Sequence, residues 1–122
     1  MKKIIFIIMV AFFSCKKSTP EQKIQFTIDA VNNSVSTGSD FPVAVTLTSG
    51  MPSQGISIEL SSINQTTNAP LPQGAPYSTK NDKNTMVVSN LPRQQWCSVT
   101  VKVTSNNTAT NTDSKVFTVV YK

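Results

Sequence analysis

Apolar and polar residues alternate along most of this chain, in short segments separated by turn residues. A period of two is typical of β-strands that bury one face and expose the other. No segment shows sustained helical spacing. The alternation predicts strands over residues 23–32, 42–48, 56–62, 84–90, 97–105 and 114–122.

Segment 84–90 is ambiguous, because Met86, Val87 and Val88 are all apolar. In the other predicted strands, alternate residues are apolar and are expected to face one common core. The inward set comprises Ile24, Phe26, Ile28, Ala30, Val43, Val45, Leu47, Ile56, Ile58, Leu60, Cys97, Val99, Val101, Val103, Phe117, Val119 and Tyr121. Val116 and Val120 lie on the opposite face of the last strand. Trp96 is out of phase with Val99 and Val101, so we expect it to point outward or to lie at a bulge.

Turn-forming residues dominate the remaining segments. The segment 63–83 loses the alternation, contains three prolines, and is expected to hold one or two short edge strands near Thr66 and Tyr77. About seven short strands in roughly 100 residues suggest a sandwich or a small barrel. Two packed antiparallel sheets would bury the alternating faces, so we predict one all-β sandwich domain over 23–122.

The first fifteen residues have the order of an export signal: Lys2 and Lys3, an apolar run over 4–13, Ser14, and then Cys15. The run is about ten residues long, against the roughly 17–25 that a membrane-spanning helix needs. Cysteine directly after the small residue resembles a bacterial lipoprotein signal. Phe12 departs from that pattern, which usually has leucine there. A plain secretory signal is the alternative reading.

The lipoprotein resemblance implies that residues 1–14 are removed between Ser14 and Cys15, and that Cys15 carries diacylglycerol and a further fatty acyl chain such as palmitate. Residues 15–22 then form a polar tether. Lysine at position 16 resembles lipoproteins sorted to the outer membrane. The expected location is therefore the outer membrane, with the periplasmic and the surface-exposed faces both open.

Charge and composition argue against several functions. The net charge of +5 falls to about +1 from Glu21 onward, so the domain has no basic surface for nucleic acid. There is no histidine, and the six carboxylates are scattered over different predicted elements. We therefore expect no catalysis, no metal site and no cofactor. Cys97 has no disulfide partner if Cys15 is acylated, and its phase predicts burial.

The stretch 91–107, from Leu91-Pro92 through Trp96 to a Ser/Asn-rich hairpin, and the strand 114–119 that follows resemble the last two strands of bacterial immunoglobulin-like domains. Fibronectin type III-like domains end similarly. The resemblance implies an immunoglobulin-like sandwich of about seven strands. The disulfide of that fold is missing here, as it is in many bacterial members.

Trp96 and Tyr77 are the candidate contact residues, because aromatic side chains outside a core often mark recognition surfaces. Packing roles are the alternative for both. The function expected is non-catalytic binding of a glycan or an envelope protein by a lipid-anchored domain. A structural or assembly subunit that accepts a strand at an open sheet edge, and a small periplasmic enzyme inhibitor, are the alternatives.

Overall fold

Nine β-strands account for the regular secondary structure of residues 21–122, the part of the chain that this computed structural model describes. In chain order they are β1 (Phe26–Ile28), β2 (Ser34–Ser36), β3 (Phe41–Leu47), β4 (Ile56–Asn64), β5 (Pro70–Leu71), β6 (Tyr77–Thr79), β7 (Lys83–Val88), β8 (Trp96–Ser105) and β9 (Thr112–Tyr121). The prediction of an all-β domain is confirmed. The expected signal peptide, its cleavage site and the acylated Cys15 lie outside the described residues.

The strands form two packed sheets. The three-stranded sheet has the order β1-β3-β7, and both of its pairings are antiparallel. The six-stranded sheet has the order β2-β9-β8-β4-β5, with β6 also paired to β4. The long strands β4, β8 and β9 form its antiparallel centre. The architecture is a β-sandwich, as the alternation predicts.

The core lies between the sheets and is filled by the alternate residues that the sequence places inward. Val43 and Val45 of the three-stranded sheet are buried, as are Val99, Val101 and Val103 of the six-stranded sheet. Phe117 of β9 packs at a tilt against Phe41 of β3, with ring centroids 5.9 Å apart. Cys97 is buried among these side chains, where a free thiol behaves as a small apolar group.

The count of nine exceeds the predicted seven because the six strands predicted from the alternation are joined by three short strands, where one or two were expected. Residues 34–36 fall in an expected loop, yet they pair with β9 in parallel. In the proline-containing segment, β6 begins at Tyr77 as expected, whereas Thr66 lies in a turn and the other short strand is Pro70–Leu71. Strands of two or three residues are too short to show a period of two.

The first predicted strand is also shorter than its pattern, covering Phe26–Ile28 rather than 23–32. The chain leaves the ladder after Ile28. At that point the Asp29 carboxylate accepts a hydrogen bond of 2.8 Å from the Ala44 N–H. Asn33 then adopts a left-handed conformation, with φ 65°, which turns the chain into β2.

The segment that enters the domain is fixed by one asparagine in the β8–β9 loop. Asn111 accepts a hydrogen bond from the Ile24 N–H (2.9 Å) and donates to the Glu21 carboxylate (2.7 Å) and the Gln22 carbonyl (2.9 Å). Gln22 in turn accepts a bond from the Gly50 N–H at 2.7 Å. The described chain therefore enters at the end of the sandwich where β8 ends and β9 begins.

The opposite faces of β9 offer a matched test of the sandwich. Phe117→Ala removes a buried ring and should lower the free energy of unfolding by about 3–5 kcal/mol. Val116→Ala, one position earlier on the exposed face, should change it by no more than about 0.5 kcal/mol. Urea unfolding of both variants checks this, and equal losses would contradict the assignment of faces.

Candidate binding surface

Trp96 is the first residue of β8 and lies on the outer face of the six-stranded sheet. It stands opposite Val120 of β9, while its neighbour Cys97 points into the core. The indole is 37% exposed, and it is the only tryptophan in the chain. A tryptophan that is half-buried yet accessible on a flat sheet is a common anchor for a binding partner.

Three exposed aliphatic side chains share that outer face. Val35, Ile63 and Val116 are 54%, 47% and 57% exposed. Val35 is opposite Val120, Ile63 is opposite Ser98, and Val116 is opposite Thr100. We call the surface formed by Val35, Ile63, Trp96 and Val116 the Trp96 face. These apolar groups lie on four neighbouring strands and are interspersed with the hydroxyls of Ser98, Thr100 and Thr118.

Charged side chains are confined to the borders of this face. The first ones along the sheet are Glu59 and Lys102, which are paired across β4 and β8 beyond the row of Ser61 and Thr100. At the other end, the next residue in the phase of Val120 is the exposed Lys122, which follows β9. The Trp96 face therefore suits a partner surface that is itself largely uncharged.

The backbone around Trp96 is held by a small polar network. The Gln65 N–H donates to the Trp96 carbonyl at 2.9 Å. The buried Asn64 side chain donates to the Gln95 side chain and accepts a bond from the Thr66 N–H at 2.8 Å. These bonds satisfy the amide of Asn64 inside the sheet and fix the start of β8, so the indole is presented from a rigid strand.

Gln94 adds local strain next to this site. Its φ of 59° lies in the left-handed region, which costs a residue with a side chain roughly 1–2 kcal/mol. Its N–H donates to the Tyr121 carbonyl, which ties the segment before β8 to the end of β9. The left-handed residue turns the chain just ahead of Trp96.

Tyr77 occupies a different part of the molecule. Tyr77 begins β6 and pairs with Ile58 near the start of β4, whereas Trp96 is hydrogen-bonded to Gln65, just past the far end of β4. Seven strand positions correspond to roughly 20 Å. Tyr77 also points toward the inner side of the sheet, like its partner Ile58, and not toward the Trp96 face. The two candidate contact residues therefore do not form one site, and both lie on strands rather than in loops.

Few groups in residues 21–122 offer reactive chemistry. No three cysteine, aspartate or glutamate side chains in this range come together in a way that could hold a metal ion. Burial raises the pKa of the Cys97 thiol above its ordinary value, which keeps it protonated and unreactive. The hydrogen bond from Asn111 is the main cause that lowers the pKa of the Glu21 carboxyl.

Sequence reasoning placed Val116 on the face opposite the core but did not identify Val35, Ile63 and Val116 as members of one exposed surface with Trp96. A usable signal exists for two of them, because Ile63 and Val116 are apolar residues out of phase with the core positions of their own strands. Val35 gives no such signal, since its strand is only three residues long.

No protein-family model matches this chain, and no curated protein sequence is similar to it. Residues 21–122 contain no helix of the length and hydrophobicity needed to cross a bilayer.

Gln94→Gly tests the strained turn beside Trp96. Glycine removes the left-handed cost, offset by its extra flexibility of about 0.5–1 kcal/mol in the unfolded chain. We expect a gain of about 0.5–1 kcal/mol in unfolding free energy, measured by urea denaturation. Gln94→Ala keeps the β-carbon and should give no gain, because no hydrogen bond of the described residues uses the Gln94 side chain. A loss of stability in Gln94→Gly would contradict the account.

Proposed function

We propose that this chain is a lipid-anchored protein of the outer membrane that acts as a non-catalytic binding module, and that it contacts another envelope protein through the Trp96 face. The observation that carries the proposal is an exposed tryptophan that shares one sheet face with three exposed aliphatic side chains and no charged side chain of residues 21–122 between them. Exposed apolar groups that gather on one face of a domain often mark interaction sites.

The composition of the face favours a protein over a glycan. Exposed valine and isoleucine side chains offer no hydrogen bonds to sugar hydroxyls, but they pack well against apolar groups of a protein surface. A tryptophan flanked by smaller groups that exclude water is a common form of an energetic hot spot. The absence of charge within the face matches the depletion of charged residues at interface centres.

The direction of the anchor supports this assignment. The N-terminal pattern from Lys2 to Cys15 has the order of an export signal and resembles a lipoprotein signal. The described chain enters beside Asn111, at the end of β8 that is farthest from Trp96. The ten residues of β8 separate the two ends by about 30 Å. An acylated Cys15 would therefore leave Trp96 on the end of the domain directed away from the membrane.

The tether also limits how far the domain can move. Residues 15–20 could extend over about 20 Å at most before the contacts of Glu21 and Gln22 begin. The loops around Gly50 and Asn111 would then remain near the lipid headgroups. A rigid immunoglobulin-like scaffold, as the resemblance implies, would hold the Trp96 face above them.

Crosslinking in the native host tests the proposal with the full chain. A photoreactive amino acid placed at Val116 or Ile63 should yield one discrete adduct with another envelope protein. The same group at Thr27, which is exposed on β1 of the other sheet, serves as the matched control and should not yield that adduct. Trp96→Ala should reduce the adduct at least tenfold, the loss expected for a hot spot worth more than about 1.4 kcal/mol.

Two results would contradict the proposal. Equal adducts from positions 116 and 27 would mean that the Trp96 face is not the contact surface. No protein adduct, together with a change of Trp96 fluorescence on adding envelope polysaccharide, would identify a glycan binder instead. The anchor is tested separately by the mass of the mature N-terminal peptide, which should include acyl chains on Cys15.

A further inference from the structure

The two sheets differ in width, and the difference leaves one side of the sandwich open. The last strand of the three-stranded sheet, β7, packs against β4. In the other sheet, β6 pairs with β4 on the side away from β8, so it extends one strand beyond β7. Tyr77 of β6 points inward but remains 48% exposed, because no strand lies above it.

The backbone of β7 presents unpaired hydrogen-bonding groups to this opening. The Leu47 N–H donates to the Asp82 carbonyl at 2.7 Å, which shows that residue 82 directs its polar groups toward β3. Along an antiparallel strand, the backbone N–H and C=O groups of successive residues point alternately to the two neighbouring strand positions. The backbone groups of Asn84 and Met86 therefore also point toward β3. Lys83, Thr85 and Val87 therefore direct their N–H and C=O groups outward, and none of these groups has a hydrogen-bond partner among the described residues.

Two residues beyond Val87, the backbone at the same edge is hydrogen-bonded to a side chain. The Ser89 N–H donates to the Gln73 side-chain oxygen at 2.8 Å, and the Gln73 amide donates back to the Ser89 carbonyl at 2.8 Å. This reciprocal pair has the pattern of two residues on neighbouring strands. The Gln73 side chain thus lies where a neighbouring strand would pair with Ser89. Beside residues 83–87, no strand of the described chain occupies the corresponding positions.

The other sheet edges in residues 21–122 are poorer acceptors. β1, β2 and β6 each have three residues, and β5 has two, one of which is Pro70. Short edges and prolines are the usual means of preventing strand addition. β7 has six residues and no proline, with Lys83 as its only charged side chain. It is the longest exposed edge in the described part of the chain.

The opening is one strand wide, which decides what can fill it. Because β6 protrudes beyond β7, a second copy that pairs its β7 here would push its own β6 into the space held by β4. A single extended segment avoids this clash. The cleft itself is about 250 Å³, lined by Tyr77, Asn84, Thr85, Met86 and Val87. That volume is below the roughly 300–1,000 Å³ of small-molecule sites.

We propose that the β7 edge accepts one extended segment of a partner protein, which adds a fourth strand to the three-stranded sheet and covers Tyr77. Its backbone pairs with Lys83, Thr85 and Val87. Its inward side chains are apolar, because they meet Tyr77 and Met86. An acidic side chain on its outer side pairs with Lys83, since this is the only charge that β7 presents.

This strand site is separate from the Trp96 face, since the two lie on different sheets and are tested by different variants. It gives a specific form to the strand-accepting alternative that the sequence leaves open. Failure of one site leaves the other unaffected.

A synthetic peptide tests the site on the full-length mature protein in detergent micelles. The probe is a heptapeptide that alternates valine and threonine and carries one glutamate at an outward position. Nuclear magnetic resonance of the labelled protein should show amide shifts and slowed hydrogen exchange at Lys83, Thr85 and Val87. A probe with proline at its centre is the matched control, and it should bind at least tenfold more weakly because it cannot complete the ladder.

Thr85→Pro is the decisive variant. It removes an outward N–H that the native fold leaves unpaired, so the domain should keep its melting temperature within a few degrees while peptide binding falls at least tenfold. Thr85→Ala keeps the N–H and should bind normally, as should Trp96→Ala. If Thr85→Pro fails to fold, Val87→Pro applies the same test at the next outward N–H.

Three outcomes would overturn the proposal. The first is no binding up to about 1 mM peptide. The second is binding that both proline variants leave unchanged, or amide shifts that map to β2 or the Trp96 face. The third is dimerisation of the protein through β7, measured by sedimentation-velocity ultracentrifugation. In that case a second copy of the protein, and not a single strand of a partner, would occupy the β7 edge.

Discussion

Burial of one face of every long strand between two sheets is the constraint on which this structure depends. Residues 21–122 contain one cysteine, the buried Cys97, so no disulfide within this range supports the domain. Its stability therefore comes from packed apolar side chains such as Phe117 and Ile58. Because the side-chain period of a strand is two, a slip of one residue would turn this whole set toward water. The packing of the core thus determines the register of the strands, and the register determines which side chains lie on the surface.

Two features follow from that fixed register. On the outer side of the wider sheet, Trp96 and the out-of-phase Ile63 and Val116 come together as an apolar surface. On the open side, the narrower sheet stops at β7 and leaves Tyr77 uncovered. Neither feature is needed for the core. The hydrogen bonds of Asn111 fix where the preceding chain joins the domain, because they hold Glu21 and Ile24 at the end of the sandwich opposite Trp96.

The sequence is sufficient to predict the fold class and most inward residues, because β3, β4, β8 and β9 are long enough to show a period of two. It is insufficient for β2 and β5, whose pairing depends on partners distant in the chain. Trp96 is recognisable from its phase. The separation of Trp96 from Tyr77 is not, because it depends on where β6 joins β4. The open edge of β7 is likewise a property of topology.

Hydrogen exchange along β7 tests the central claim most directly, since it reads the register and the open edge in one measurement. The amides of Asn84 and Met86 face β3 and should exchange slowly, whereas those of Lys83, Thr85 and Val87 should exchange at rates close to those of an unfolded chain. An alternating pattern of this phase supports the account. Uniform protection across residues 83–87, or alternation of the opposite phase, would contradict it.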